Sequence, residues 1–252
     1  MSQSANISPI HLWCLHGNLQ QPSVWETALR DLWRDPAIRV IPVDLWSTTA
    51  QDFWGWAEQF CERVVAEGAS RNVVLGYSLG GRLALHAVLQ NPGLWKGAIA
   101  TSTSPGLSSF KDRQACLQRD RIWGQRFRTE PWQALLNEWD NLPVFNGIPC
   151  NIERKESQFS RQRIARLFDI FSQGRQEDLL LRLKALENPP ILYISGELDR
   201  KYCAMGRRLA EACRGVEWVA IANAGHRVPW ENTPVFTQVV EQWLRQLPDQ
   251  TN

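Results

Sequence analysis

The chain has 252 residues and a formal net charge of +2, a length that suits one α/β domain with a substantial core and room for one inserted segment. Acidic and basic residues interleave along most of it, so no long basic tract is available to track a phosphate backbone, and nucleic acid is not an expected partner. No apolar run approaches the roughly 18 residues that span a bilayer, so no membrane span is expected.

In chain order, short apolar runs bounded by turn residues alternate with longer helical patterns. Residues 10–17 read as a strand, 24–33 as a helix, 38–45 as a strand and 50–67 as a helix. Residues 72–77 then form a strand, 79–90 a helix and 95–102 a strand. From 105 to 188 the pattern is helical without convincing strands. Alternation resumes with a strand at 190–196, a helix at 202–213, a strand at 216–221 and a helix at 234–247. Such alternation predicts a mostly parallel sheet with helices on both faces. Residues 1–104 and 189–252 are expected to form the core, and 105–188 a helical cap or lid over the crevice at the strand C-termini. The six cysteines show no metal-ligand spacing, and the first ten residues, M-S-Q-S-A-N-I-S-P-I, lack the basic and apolar regions of a secretory leader. A reducing cytoplasm fits that composition. The thirteen tryptophans are scattered and read mainly as packing residues.

Chemistry enters at Gly76-Tyr77-Ser78-Leu79-Gly80, where an apolar strand meets a helical pattern. In G-x-S-x-G the glycines remove the Cβ atoms that would block a sharp strand-to-helix turn, and the serine hydroxyl is pushed out at the top of the sheet. A serine does useful work there only if a histidine and an orienting carboxylate converge on it. Of the four histidines, His11 stands at the start and His16 at the end of the first strand, and His86 lies in the helix after the serine. His226 stands in N-A-G-H-R-V-P-W, a loop after the last strand, where an imidazole can swing over the sheet. For the carboxylate, I-L-Y-I-S-G-E-L-D ends a buried strand with Asp199; Glu197 competes, while Asp44 falls in the wrong chain order. Ser78, Asp199, His226 is the nucleophile, acid, base order of the α/β-hydrolase fold. The backbone N–H groups of Leu79 and of Asn18, in H-G-N after the first strand, are the expected oxyanion donors. This chemistry calls for no cofactor and no metal.

Between residues 111 and 128 six basic side chains (Lys111, Arg113, Arg119, Arg121, Arg126, Arg128) face two acids, Asp112 and Asp120. If some of them point into the crevice, they suit a ligand with several carboxylates, because a guanidinium binds carboxylate oxygens bidentately. Arg82, one helical turn after Ser78, can stand beside the nucleophile.

The motifs G-Y-S-L-G-G-R, S-P-G-L, R-D-R-I-W-G-Q-R-F followed by E-P, W-x-x-L-P-V-F, S-G-E-L-D-R-K-Y and A-G-H together resemble the MenH family, the 2-succinyl-6-hydroxy-2,4-cyclohexadiene-1-carboxylate synthases of menaquinone and phylloquinone biosynthesis. The resemblance covers nearly the whole chain. The elbow and A-G-H are common to the superfamily, whereas the two tryptophan-containing cap motifs are more specific. The resemblance implies a serine used as a base, with 2,5-elimination of pyruvate from a small cyclohexene polycarboxylate. By position it also implies that Tyr77, Arg82 and Trp139 line the substrate site. Two positions depart from the pattern. Cys116 replaces a common arginine, so that either Arg113 or Arg119 substitutes for it or that carboxylate contact is absent, and Asn18 replaces a hydrophobic residue. A serine esterase or thioesterase using the same three residues, and a hydrolase-like binding protein, are the competing readings. No protein partner is indicated.

Overall fold

The computed structural model describes residues 8–248. Residues 1–7, on which the reading of a missing leader largely rests, lie outside that range. Six strands, β1 (Ile10–Leu15), β2 (Ile38–Val43), β3 (Asn72–Tyr77), β4 (Trp95–Thr101), β5 (Ile191–Gly196) and β6 (Val216–Ile221), form one sheet in the order β2-β1-β3-β4-β5-β6. Every neighbouring pair is parallel. The helices are α1 (Val24–Ala28), α2 (Phe53–Glu67), α3 (Leu79–Gln90), α4 (Phe110–Thr129), α5 (Trp132–Asp140), α6 (Arg161–Ile170), α7 (Leu180–Ala185), α8 (Arg200–Ala212), α9 (Val228–Glu231) and α10 (Thr233–Gln246).

Strand alternation divides the core into two layers, as period-two side chains require. Trp13, Leu15, Val74, Ala98, Ala100 and Tyr193 point to the layer covered by α2, α3 and α8. Leu12, Cys14, Val73, Leu75, Ile99 and Leu192 point to the layer of α1, α9 and α10. The first layer runs on without a break into Trp123, Phe127, Leu135, Ile164 and Phe168 of α4, α5 and α6, so the helices between β4 and β5 share the core of the sheet.

Two helix ends lie three or more residues from the sequence reading, and one short helix was not expected. The helix expected over 24–33 stops at Ala28, whose carbonyl accepts from Thr237 Oγ1 at 2.8 Å in place of the N–H four residues on. The helix expected from 50 begins at Phe53, because Asp52 sits in extended backbone and its side chain accepts from Gly55 N at 2.8 Å, an N-cap. The short helix α9 stands where the sequence predicts loop; its Pro229 is tolerated because the first turn has no donor duty for the missing N–H.

Two buried histidines are locked neutral. His16 Nδ1 donates to Gly17 O at 2.9 Å while Nε2 accepts from Leu45 N at 3.2 Å, so a second proton has no place to go. His86 is stacked on Phe53 with centroids 4.7 Å apart and donates from Nδ1 to Arg82 O at 2.7 Å. Burial lowers both from 6.5 to about 4. Because the unfolded chain binds these protons first, stability is fully present above pH 6.5 and falls as pH drops from 6.5 toward 4. By pH 4 each histidine costs on the order of 3 kcal/mol. Imidazole NMR titration should show both rings unprotonated until pH nears 4; titration of either at its ordinary value would contradict this.

Candidate active site

The strand order places the site. The chain leaves β1 for β2 on one side and returns to β3 on the other, so the loops after β1 and β3 open side by side at a topological switch point. Leu15 pairs with Gly76 at the mouth of that crevice. A Cβ on Gly80 would sit 2.1 Å from Leu15 O, and one on Gly76 would sit 2.2 Å from Gly80 O, so only glycines let the elbow close against β1. Ser78 is held at φ 51°, ψ −106°, a conformation that side chains rarely adopt. Three hydrogen bonds fix it: Ser78 N to Thr101 O at 2.9 Å, Arg82 N to Ser78 O at 3.1 Å, and Thr103 Oγ1 to Ser78 O at 2.8 Å. In the β1 loop, Gly17 N is occupied by Gln20 Oε1 at 2.8 Å, which leaves Asn18 as the next N–H along a loop that lines the cavity. Leu79 opens α3 directly after the serine.

Ser78, His226 and Asp199 come together from three separate loops. His226 Nε2 lies 3.4 Å from Ser78 Oγ, and Nδ1 lies 2.8 Å from Asp199 Oδ2. Since Asp199 accepts, Nδ1 carries the proton and Nε2 is free to take one from the serine. Asp199 is buried, caps α8, and accepts from Tyr202 N at 3.3 Å with its other oxygen. The imidazole is walled by Tyr202 at 4.8 Å, Tyr77 at 5.6 Å and Phe145 at 5.7 Å between centroids. Glu197 is exposed and accepts from Asn223 N at 3.4 Å, while Asp44 accepts from Trp46 N at 2.9 Å, so neither competes for the histidine.

Above Ser78 lies a cavity of about 880 Å³. Tyr77, Arg82, Arg119 and Trp139, all named from the sequence, line it. Arg113 does not. Seven residues separate it from Asp120 on the same face of α4, roughly 10 Å up the helix, and its backbone packs against Gly174. The basic run in α4 is also largely neutralised by acids. Arg119 pairs with Asp120 at 2.9 Å, Arg121 with Asp169 at 3.4 Å, and Arg126 with Glu130 at 2.9 Å and Glu138 at 2.7 Å. Arg82 is half-buried and doubles as a tether, donating from Nη1 to Phe171 O at 2.7 Å, at the C-terminal end of α6. Burial pushes its guanidinium below the ordinary arginine value and raises the Tyr77 phenol well above 10, so the first stays a cation and the second a proton donor at neutral pH. Trp139 packs edge-on against Trp123 and Phe168, at 5.3 and 5.5 Å.

Sequence reasoning missed the other cations. Arg154, Arg200, Lys201 and Arg227 also face the cavity, so that six cations line it with two carboxylates, Asp120 and Asp199, while Asp140 behind the wall pairs with Arg154 and Arg227. Arg227, next to His226, and Arg200 and Lys201, directly after Asp199, had a positional hint. No cluster of metal-ligating side chains occurs among the described residues. No helix is long and apolar enough to cross a membrane among those residues either.

A model of the alpha/beta hydrolase family matches residues 14–237. A 2-succinyl-6-hydroxy-2,4-cyclohexadiene-1-carboxylate synthase of Escherichia coli O1:K1 is 32% identical over 189 residues, covering 73% of each chain. A protein of the same name from Pectobacterium atrosepticum is 28% identical over 250 residues, covering 94% of this chain and 96% of the relative. The solved structure of MenH from S. aureus superposes with a TM-score of 0.85 at 20% identity, covering 99% of this chain and 98% of that one, a likeness of fold. On the family match and the E. coli relative together, the chain belongs to the alpha/beta hydrolase family and, within it, to the 2-succinyl-6-hydroxy-2,4-cyclohexadiene-1-carboxylate synthases.

Proposed function

We propose that the protein makes 2-succinyl-6-hydroxy-2,4-cyclohexadiene-1-carboxylate by eliminating pyruvate from 2-succinyl-5-enolpyruvyl-6-hydroxy-3-cyclohexene-1-carboxylate, in menaquinone or phylloquinone biosynthesis. The observation that carries this reading is the charge of the cavity: six cations line it, and they remain in excess over Asp120 and Asp199 in the lining and Asp140 behind it, which suits a ligand with three carboxylates. In this account His226, oriented by Asp199, takes the hydroxyl proton of Ser78, and the serine oxygen takes a carbon-bound proton from the substrate ring. The N–H groups of Asn18 and Leu79 stabilise the charge that develops on a carbonyl oxygen. As the ring electrons shift, the bond from ring carbon to enolpyruvyl oxygen breaks with its electron pair on oxygen, and the leaving enolate takes up one proton, in balance with the one that the Ser78–His226 pair gained, and ketonises to pyruvate. No covalent enzyme intermediate forms. Residues 105–188 act as the cap over a core of residues 1–104 and 189–252, and exclude water from the intermediate. Tyr77, Arg82, Arg119 and Trp139 contact substrate. The six free cysteines support a reducing, cytoplasmic setting.

Arg82→Ala should lower kcat/KM for elimination about 10- to 100-fold, the effect of losing one charge-assisted hydrogen bond of roughly 1.5–3 kcal/mol. An unchanged kcat/KM would remove Arg82 from the site. The esterase alternative is separated by comparing rates on the enolpyruvyl substrate and on p-nitrophenyl esters. A dedicated eliminase turns over the esters slowly, whereas ester hydrolysis that outpaces elimination would favour acyl transfer.

A further inference from the structure

Asp140 ends α5 directly after Trp139, behind the cavity wall: Arg154 and Arg227 line the cavity and Asp140 does not. Its Oδ1 accepts from Arg227 Nη2 at 2.5 Å, and its Oδ2 accepts from Arg154 Nη2. Both arginine side chains are nearly sealed, at 4% and 8% exposure. Arg227 is the residue after His226. Its guanidinium also lies 3.6 Å from the centroid of the Phe145 ring and donates from Nη1 to Ile148 O at 3.3 Å. All these anchors belong to residues 140–154, between α5 and α6. Asn151 adds another link, donating to Trp230 O at 3.3 Å. Within the histidine loop itself, the N–H groups of Gly225 and Arg227 both donate to the Glu231 carboxylate, at 2.5 and 3.2 Å. Glu231 is thus committed to the backbone on either side of His226, and Asp140 is the carboxylate that two buried guanidiniums share.

We propose that Asp140 is a positioning residue: it clasps the 140–154 segment to the loop that carries His226, so the imidazole keeps its line to Ser78 only while that segment is docked. Without the carboxylate, two like charges are left unpaired in a poorly solvated wall, and both guanidiniums must turn toward the cavity or solvent. Arg227 follows His226 directly in the chain, so a backbone shift that frees its guanidinium carries the imidazole with it. A hydrogen bond of 3.4 Å between His226 and Ser78 has little reach to lose before proton transfer fails. The proposal rests on Ser78 and His226 being the working base, as read above.

The test compares wild type with Asp140→Asn, Arg227→Gln and the double variant. Asp140→Asn should lower kcat on the order of 100-fold, with KM changing much less, as expected of a displaced base. Arg227→Gln should do the same, and the double variant should be no worse than either single, because one interaction is removed twice. The rate at which a fluorophosphonate modifies Ser78 should fall in parallel across the four proteins. That readout needs the serine–histidine alignment but no elimination substrate, so it tests the clasp even if wild type releases no pyruvate. If Asp140→Asn does not fold, Arg227→Gln, which keeps the Asp140–Arg154 pair, carries the comparison. Unchanged kcat and modification rate in folded variants, or losses that multiply in the double variant, would overturn the proposal.

Discussion

Ser78→Ala should lower pyruvate release by about 10²- to 10⁴-fold, the usual contribution of a positioned acid–base group. The fold should survive. The three hydrogen bonds that hold the elbow use the backbone of residue 78, not its hydroxyl, and they remain when the oxygen is removed. His226 then faces an empty position, because its Nε2 addresses the substrate through Ser78 Oγ. Steady-state pyruvate assays on variant and wild type, with thermal midpoints measured alongside, check the result. A variant that folds normally and keeps a kcat close to wild type would make His226 the direct base and the serine dispensable.

Gly80→Ala should be among the most disruptive single methyl groups that can be added to the chain. Its Cβ would lie 2.1 Å from Leu15 O and 2.7 Å from His16 O, both backbone atoms that no rotamer change can move aside. Relief requires α3 to back away from β1. That separates the elbow from the loop bearing Asn18, so stability and activity fall together. Overpacking of this kind costs about 3 kcal/mol or more when backbone must shift. Chemical denaturation reads the first loss and pyruvate release by the folded fraction reads the second. By contrast, Gly68→Ala, where nothing lies within 4 Å of the new Cβ but φ is +73°, should carry only the milder cost of strained backbone.

The elbow was readable in the sequence because its determinants are local. An apolar run, two glycines and a helical pattern coincide within a few residues, and the reading of 72–77 and 79–90 matches β3 and α3 residue for residue. His226 and Asp199 were readable by elimination, as there are only four histidines and few acids after a strand. The cation arrangement was not readable, because charge pairing is settled by tertiary distance. Arg121 meets Asp169 and Arg126 meets Glu138, so a basic run in α4 that suggested a carboxylate cradle is mostly paired with acids of its own chain. The positive charge of the cavity instead includes Arg154 and Arg227, joined by an Asp140 that lies 87 residues before Arg227. Similarly, α1 is cut short by a hydroxyl 209 residues away. Periodicity reports which face is buried, but it carries no information on which distant side chain takes a carbonyl or balances a charge.

The most direct test of the central claim is the release of pyruvate by the wild-type protein from 2-succinyl-5-enolpyruvyl-6-hydroxy-3-cyclohexene-1-carboxylate, with intact-protein mass recorded during turnover. The account predicts one pyruvate for each substrate consumed and an enzyme mass that never departs from that of the free protein, because Ser78 handles a proton and forms no bond to carbon. Negligible pyruvate, together with an acyl group accumulating on Ser78, would contradict it and return the site to acyl transfer.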